Sequence, residues 1–247
     1  MQNKHGLSRE IPPAIKLLVR QRCGFGCVIC GSGLIEYEHV NPIFADAEEH
    51  SADKITLLCP TCHANVTRKF WSKEKVRKAN EKPFCKQAGN PKSMLDFSGG
   101  HPILVFGGTT FYNCSIPIKL FHIPLIKIAP PEIEGGPFLL SAMFCDSQGR
   151  ISLEIENNEW TAQSTNWDVT VIGGKITIKE NKGQTHLVLK VDPPNKIIVE
   201  TLNMRFGKFT FFVTPLLYEI TGPSGSKIRM SGGMTDGCEV GMVIGNF

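Results

Sequence analysis

The chain has 247 residues, 41% hydrophobic and 20% charged, with a formal net charge of +4. That length accommodates one large domain or two modest ones with a substantial core, and the composition excludes intrinsic disorder. The longest apolar stretches, such as Ile116 to Ile128, are broken by Pro or Lys, which excludes a membrane-spanning helix.

Charge is unevenly spread. Residues 1–90 carry 14 Lys and Arg against 9 Asp and Glu, and the remainder carries 13 against 14. A basic segment joined to a near-neutral one points to a polyanionic partner for the first part, although a solvated helix face gives the same asymmetry. The first ten residues (MQNKHGLSRE) are polar and no apolar run follows, so no secretory leader is expected and a cytoplasmic location is.

In chain order, Pro13 stands where a helix can start, and the apolar spacing of AIKLLVRQR suits one helical face until Gly24 and Gly26 stop it. Cys27-Val-Ile-Cys30 reads as a knuckle, with Gly31 relieving the turn. A short strand is expected over residues 35–39, and residues 44–54 form a polar loop. Pro60 can open a second helix carrying Cys62, His63 and Thr67. A third is expected from Lys73 to about Asn80, with Ser72 as its N-cap and Pro83 limiting its extent. Residues 87–100 (QAGNPKSMLDFSGG) are rich in turn formers and read as a linker. Beyond them come short Val/Ile/Phe/Thr-rich runs: 103–106, 151–156, 169–172, 175–179, 186–191, 196–200 and 209–213. Gly173-Gly174 signals a hairpin, and the strand density points to a mainly antiparallel sandwich or barrel, with a β-helix less favoured. The expected organisation is therefore α+β: a small zinc domain over 1–88, a linker over 89–100 and a β-rich domain over 101–247.

Nine cysteines are present, four of them in the CxxC pairs Cys27/Cys30 and Cys59/Cys62. Zinc takes four soft ligands in a tetrahedron, and two knuckles supply them from separate turns. Cys23 is close enough in sequence to stand in for Cys27, with poorer spacing. Cys114, Cys145 and Cys238 read as small buried residues. Four thiolates leave no open position on the metal, so this centre by itself staples the fold and does no chemistry.

Between the knuckles lies Glu36-Tyr-Glu38-His39-Val-Asn-Pro42, followed by Leu57-Leu58-Cys59-Pro-Thr-Cys62-His63. This order resembles the HNH endonuclease family over about residues 9–86: an acidic residue and His before a proline, then a CxxC knuckle followed by His. The resemblance implies a ββα-metal fold, a structural Zn²⁺ on the four cysteines and cleavage of double-stranded DNA at a second cation. It implies His39 as general base and Glu38 and His63 as ligands of that cation, Mg²⁺ or Mn²⁺, with Ni²⁺ or Zn²⁺ also accommodated by the histidine. Tyr37 or Asn41 could orient the neighbours. Where the family carries its middle Asn this chain has Lys54, and Asp53 or His50 could take over that role. His50, Asp53 and Lys54 are therefore candidate supporting residues.

Downstream, Arg68, Lys69, Lys73, Lys75 and Lys78 suit phosphate contacts, while Phe70 and Trp71 read as packing on the zinc core. Trp160 and Trp167 read as core residues. The β-rich part would serve target recognition, sensing or homo-oligomerisation. Three functions fit: a metal-dependent DNA endonuclease, as in restriction or phage defence; a zinc module that binds nucleic acid without cutting; and a ligand-binding or structural β domain with a zinc adaptor.

Overall fold

A computed structural model describes residues 2–245. The chain forms two compact units, one of Met1–Ser93 with Ala162–Val171 and the other of Met94–Thr161 with Ile172–Phe247.

In the first unit, helix α1 (Pro13–Cys23) has Pro at its N-terminus and ends at Gly24, whose φ of 72° lets the last turn close. A Cβ at Gly24 would also lie 2.9 Å from that of Cys85, so glycine is needed twice there. Strand β1 (Glu36–His39) pairs antiparallel with β2 (Ile55–Leu58), setting Glu38 opposite Thr56 and His39 opposite Ile55. All four β2 residues are buried, the polar Thr56 among them. Helix α2 (Pro60–Thr67) follows at once, with Cys59 as its N-cap. Helix α3 (Lys73–Glu81) starts at Ser72, whose hydroxyl accepts from the Lys75 amide, and α4 (Phe84–Ala88) is a single short turn. The core gathers Val19, Val28, Leu57, Leu58, Val66 and Val76 around Cys27, Cys59 and Cys62.

Residues 162–171 belong to this first unit although the sequence sets them within the β-rich stretch. Arg20 of α1 grips Asp168 with two hydrogen bonds of 2.8 Å, and Gln21 donates to the Trp167 carbonyl at 2.9 Å. Arg20 also donates to the Tyr37 hydroxyl at 2.7 Å, which turns Tyr37 toward α1. Residues 87–100 are structured: they include the end of α4 and a short strand, Lys92–Met94, and Phe97 is fully buried.

The second unit is built from two open sheets. One runs as an antiparallel meander through 175–181, 184–192, 196–206, 209–213, 218–221 and 227–230. The other runs through 116–120, 123–129, 139–145, 151–156 and 159–162. Phe106, Leu202, Met204 and Phe211 from the first sheet meet Ile118, Leu125, Ile126 and Phe144 from the second, so the core lies between them. Trp160 is buried, as expected, whereas Trp167 is only half-buried.

Long-range pairing adds parallel strands to the mainly antiparallel sheets and corrects one reading of the cysteines. The sheets are not purely antiparallel, because strand 103–106 runs parallel to 196–199, and the C-terminal strands 233–236 and 240–244 run parallel to 109–112 and 116–120. In the last two pairs the register offset is the same: Asp236 faces Tyr112 and Val240 faces Ile116. That register sets Cys238 beside Cys114, and the two form a disulfide across 124 residues. They are therefore not the separate small buried thiols the sequence suggested; Cys145 is, and burial raises its pKa to about 11. Among the described residues no helix is long and apolar enough to cross a membrane.

Candidate metal centre and candidate active site

The two knuckles converge as their spacing requires. Cys27 and Cys30 sit on a turn closed by the Gly31 amide donating to the Cys27 carbonyl at 2.9 Å, and Cys59 and Cys62 span the start of α2. The four sulfurs lie within 4.8 Å of one another. Cys30 Sγ is 3.6 Å from Cys59 Sγ and 3.7 Å from Cys62 Sγ. A tetrahedral zinc with bonds of about 2.3 Å sets its sulfurs about 3.8 Å apart, so the donors fit a zinc ion. Burial raises the Cys30 pKa to about 11 and raises that of Cys62 further. At Cys59 burial pushes the same way, but the Cys62 amide and the neighbouring thiols outweigh it and the pKa falls. A divalent cation is what such a group of converging thiols, three buried and Cys30 exposed, takes up in exchange for protons. Cys23 lies outside the cluster, against the Thr56 hydroxyl at 3.8 Å.

On the solvent side of the same β1–β2–α2 unit stand Glu36, Glu38 and His63. Alternation along β1 puts the two glutamates on one face, and α2 carries His63 to them directly after the second knuckle. His63 Nδ1 is 2.6 Å from Glu36 Oε2, and His63 Nε2 is 3.2 Å from Glu38 Oε2. The other Glu38 oxygen accepts from the Lys73 ammonium at 2.9 Å. Two ligands in adjacent octahedral positions on Mg²⁺ stand about 3.0 Å apart, so Glu38 Oε2 and His63 Nε2 already have the spacing of a cation's neighbouring donors. Glu36 escaped the sequence reading. With Glu36 holding Nδ1, Nε2 faces Glu38, and a cation between them would take the place of the Nε2 proton, the arrangement in which a carboxylate orients a metal-binding histidine.

His39 points elsewhere. Although next to Glu38 in sequence, it makes no hydrogen bond to Glu38 or His63 among the described residues. Its ring is buried against Phe44, and its Nε2 lies 3.2 Å from His50 Nδ1. Burial first, and then the neighbouring His50, hold its pKa below the ordinary histidine value, against the pull of Glu38. His39 is thus neutral at neutral pH and able to accept a proton. With Pro42, Asp46, Glu48, Glu49 and Lys54 it lines a cavity of about 410 Å³.

The remaining candidates separate clearly. His50 joins His39, whereas Asp53 is exposed and accepts from Ser51, and Lys54 reaches Glu49 at 3.8 Å. Tyr37 is held by Arg20 and Asn41 is exposed, so neither orients the histidines. Arg68, Lys69, Lys73, Lys75 and Lys78 are all exposed. Lys73 is spent on Glu38, Lys75 stacks 3.5 Å over the Trp71 ring, and Lys78 reaches Glu74 at 3.9 Å. Arg68 and Lys69 have no ion pair among the described residues, and Phe70 beside them is 79% exposed, not packed on the core; only Trp71 packs there. A wider depression of about 600 Å³ on the second unit is lined by Glu154, Glu156 and Glu159 facing Lys127, and it contains no His or Cys.

Set against family models, curated proteins and solved structures, the chain matches none of them.

Proposed function

We propose that the chain is a metal-dependent DNA endonuclease whose active centre is Glu38, His39 and His63 on a zinc-stapled ββα unit. The observation that carries this reading is the pairing of Glu38 and His63 at cation-ligand spacing, on elements whose other side holds the four-cysteine cluster. Zinc on Cys27, Cys30, Cys59 and Cys62 would fix β2 and α2 relative to the first knuckle, and so fix His63 against β1. Mg²⁺ or Mn²⁺ between Glu38 and His63 would supply charge neutralisation at the scissile phosphate and the leaving 3′ oxygen. His39, kept neutral by burial, would remove the proton of the attacking water once bound DNA spans from the Glu38–His63 pair to the cavity that His39 lines. Glu36 holds the His63 ring in the ligating tautomer. Arg68 and Lys69, exposed and without an ion pair among the described residues, receive the flanking phosphates, giving a binding constant that falls with salt.

A second reading, a zinc module that binds nucleic acid without cutting it, is favoured by the Lys73 ammonium on Glu38, a cation already placed on the proposed ligand. One experiment separates the two. Supercoiled plasmid is incubated with the purified protein and Mg²⁺, Mn²⁺ or Ni²⁺, beside His39→Ala and Glu38→Gln. The first reading expects metal-dependent nicking that falls about 10²-fold or more in each variant, the usual worth of a general base or a catalytic cation. Retarded but uncut DNA with every metal would establish the second reading instead.

A further inference from the structure

The hydrogen-bond chain behind His39 can be followed proton by proton. His50 Nε2 lies 2.9 Å from the Ser8 carbonyl oxygen. A carbonyl only accepts, so His50 Nε2 carries the hydrogen, and the Nδ1 of a neutral His50 is a bare acceptor. That acceptor is 3.2 Å from His39 Nε2, which must then be the protonated nitrogen of His39. His39 Nδ1 is left bare. It makes no hydrogen bond among the described residues, and it is not one of the buried nitrogens cut off from solvent.

We infer that His50, backed by the Ser8 carbonyl, is the positioning residue that holds His39 in the Nε2–H tautomer and leaves Nδ1 as the atom that accepts the proton. This rests on the reading of His39 as the general base given above. Without a fixed acceptor on one side an imidazole exchanges its proton between two nitrogens, and the wrong tautomer presents a hydrogen to the water it should deprotonate.

The far end of the chain is itself anchored. Asn3 donates through its side-chain amide to the carbonyls of Phe44 and Ala47, both at 2.6 Å. Its Oδ1 accepts from the amides of His5 and Leu7, and Gln2 bridges to Ser8. Phe44, on the turn that Asn3 grips, packs edge-on against His39 with ring centroids 5.3 Å apart. The polar N-terminal stretch therefore fixes both the Ser8 carbonyl and the surface on which the His39 ring rests.

The test uses full-length, zinc-loaded protein with ¹⁵N-labelled histidine, near neutral pH and without added Mg²⁺ or Mn²⁺. Long-range ¹H–¹⁵N spectra report which ring nitrogen is protonated, and loss of signals in His39→Gln assigns the ring. Wild type is expected to show His39 as Nε2–H. His50→Phe keeps the ring's bulk but offers no acceptor, and should give a mixture of tautomers. His50→Asn places Oδ1 at the branch position of the lost Nδ1 and should restore Nε2–H. In the plasmid assay, nicking should fall about 10²-fold in His50→Phe and recover at least tenfold in His50→Asn, within the span of a general base's contribution. His39 found as Nδ1–H in wild type, or an unchanged tautomer in a folded, zinc-loaded His50→Phe, would overturn the inference. A wild type that never nicks would instead overturn the nuclease reading, and the spectra would still decide the tautomer.

Discussion

Replacing Cys59 by serine separates two tasks of one side chain. Cys59 is both a member of the four-sulfur cluster and the N-cap of α2, where its sulfur accepts from the Cys62 amide at 3.4 Å. Serine is a better cap than cysteine, so helix initiation is preserved and the loss falls on the metal. Structural zinc sites contribute about 10–16 kcal/mol of apparent binding free energy, comparable with the whole stability of a domain, about 5–15 kcal/mol. Shared equally among four sulfurs, one thiolate is worth about 3 kcal/mol, or about two decades of zinc affinity. The consequence should be large for the first unit, because its core is gathered around these cysteines. Cys85 supplies the control: it is fully buried near the cluster but outside it, with its thiol 3.7 Å from the Gly31 carbonyl and its pKa raised to about 12 by burial. Competition with a coloured zinc chelator should show about 100-fold weaker retention in Cys59→Ser, while Cys85→Ser keeps one equivalent of zinc at wild-type affinity. Equal zinc affinity in wild type and Cys59→Ser, or equal losses in both variants, would refute the assignment of the tetrahedron.

Two further outcomes probe each unit. Arg20→Ala removes the partner of the buried Asp168 carboxylate and the donor to the Tyr37 hydroxyl, so urea unfolding should show a loss of about 3–5 kcal/mol; a loss under 1 kcal/mol would mean that the 162–171 segment does not depend on this clamp. In the second unit, His186 is fully buried, with Nε2 2.7 Å from the Ser152 hydroxyl. Burial holds its pKa below the ordinary histidine value, against Glu180, Asp146 and the Ile178 backbone. The unfolded chain therefore binds more protons as acid is added, so its contribution is complete above about pH 6.5 and is lost as the pH falls below that. Urea midpoints should drop on acidification more steeply in wild type than in His186→Gln, and parallel curves would contradict this account.

The local features were legible because their causes are local. CxxC spacing is set by the reach of one turn, and both knuckles close into the expected cluster. The Ser72 cap, the proline-led start of α2 and the glycine stop after Cys23 act within a few residues, and all three fall where the sequence puts them. Runs 103–106, 151–156 and 209–213 are strands to the residue, since each is a short run rich in β-branched or aromatic residues bounded by turn formers. Tertiary structure decided whatever depends on two distant segments meeting. Glu36 became a partner of His63 only when α2 folded over the outward face of β1, and His50 a partner of His39 only when residues 44–50 returned beside the Ser8 carbonyl. Cys114 met Cys238 through a shared register between strands 124 residues apart, and Asp168 was drawn out of the β-rich stretch by an arginine on α1. Each of these pairings depends on which faces are left free once the cores have packed, and that is a property of the assembled chain and not of any window of its sequence.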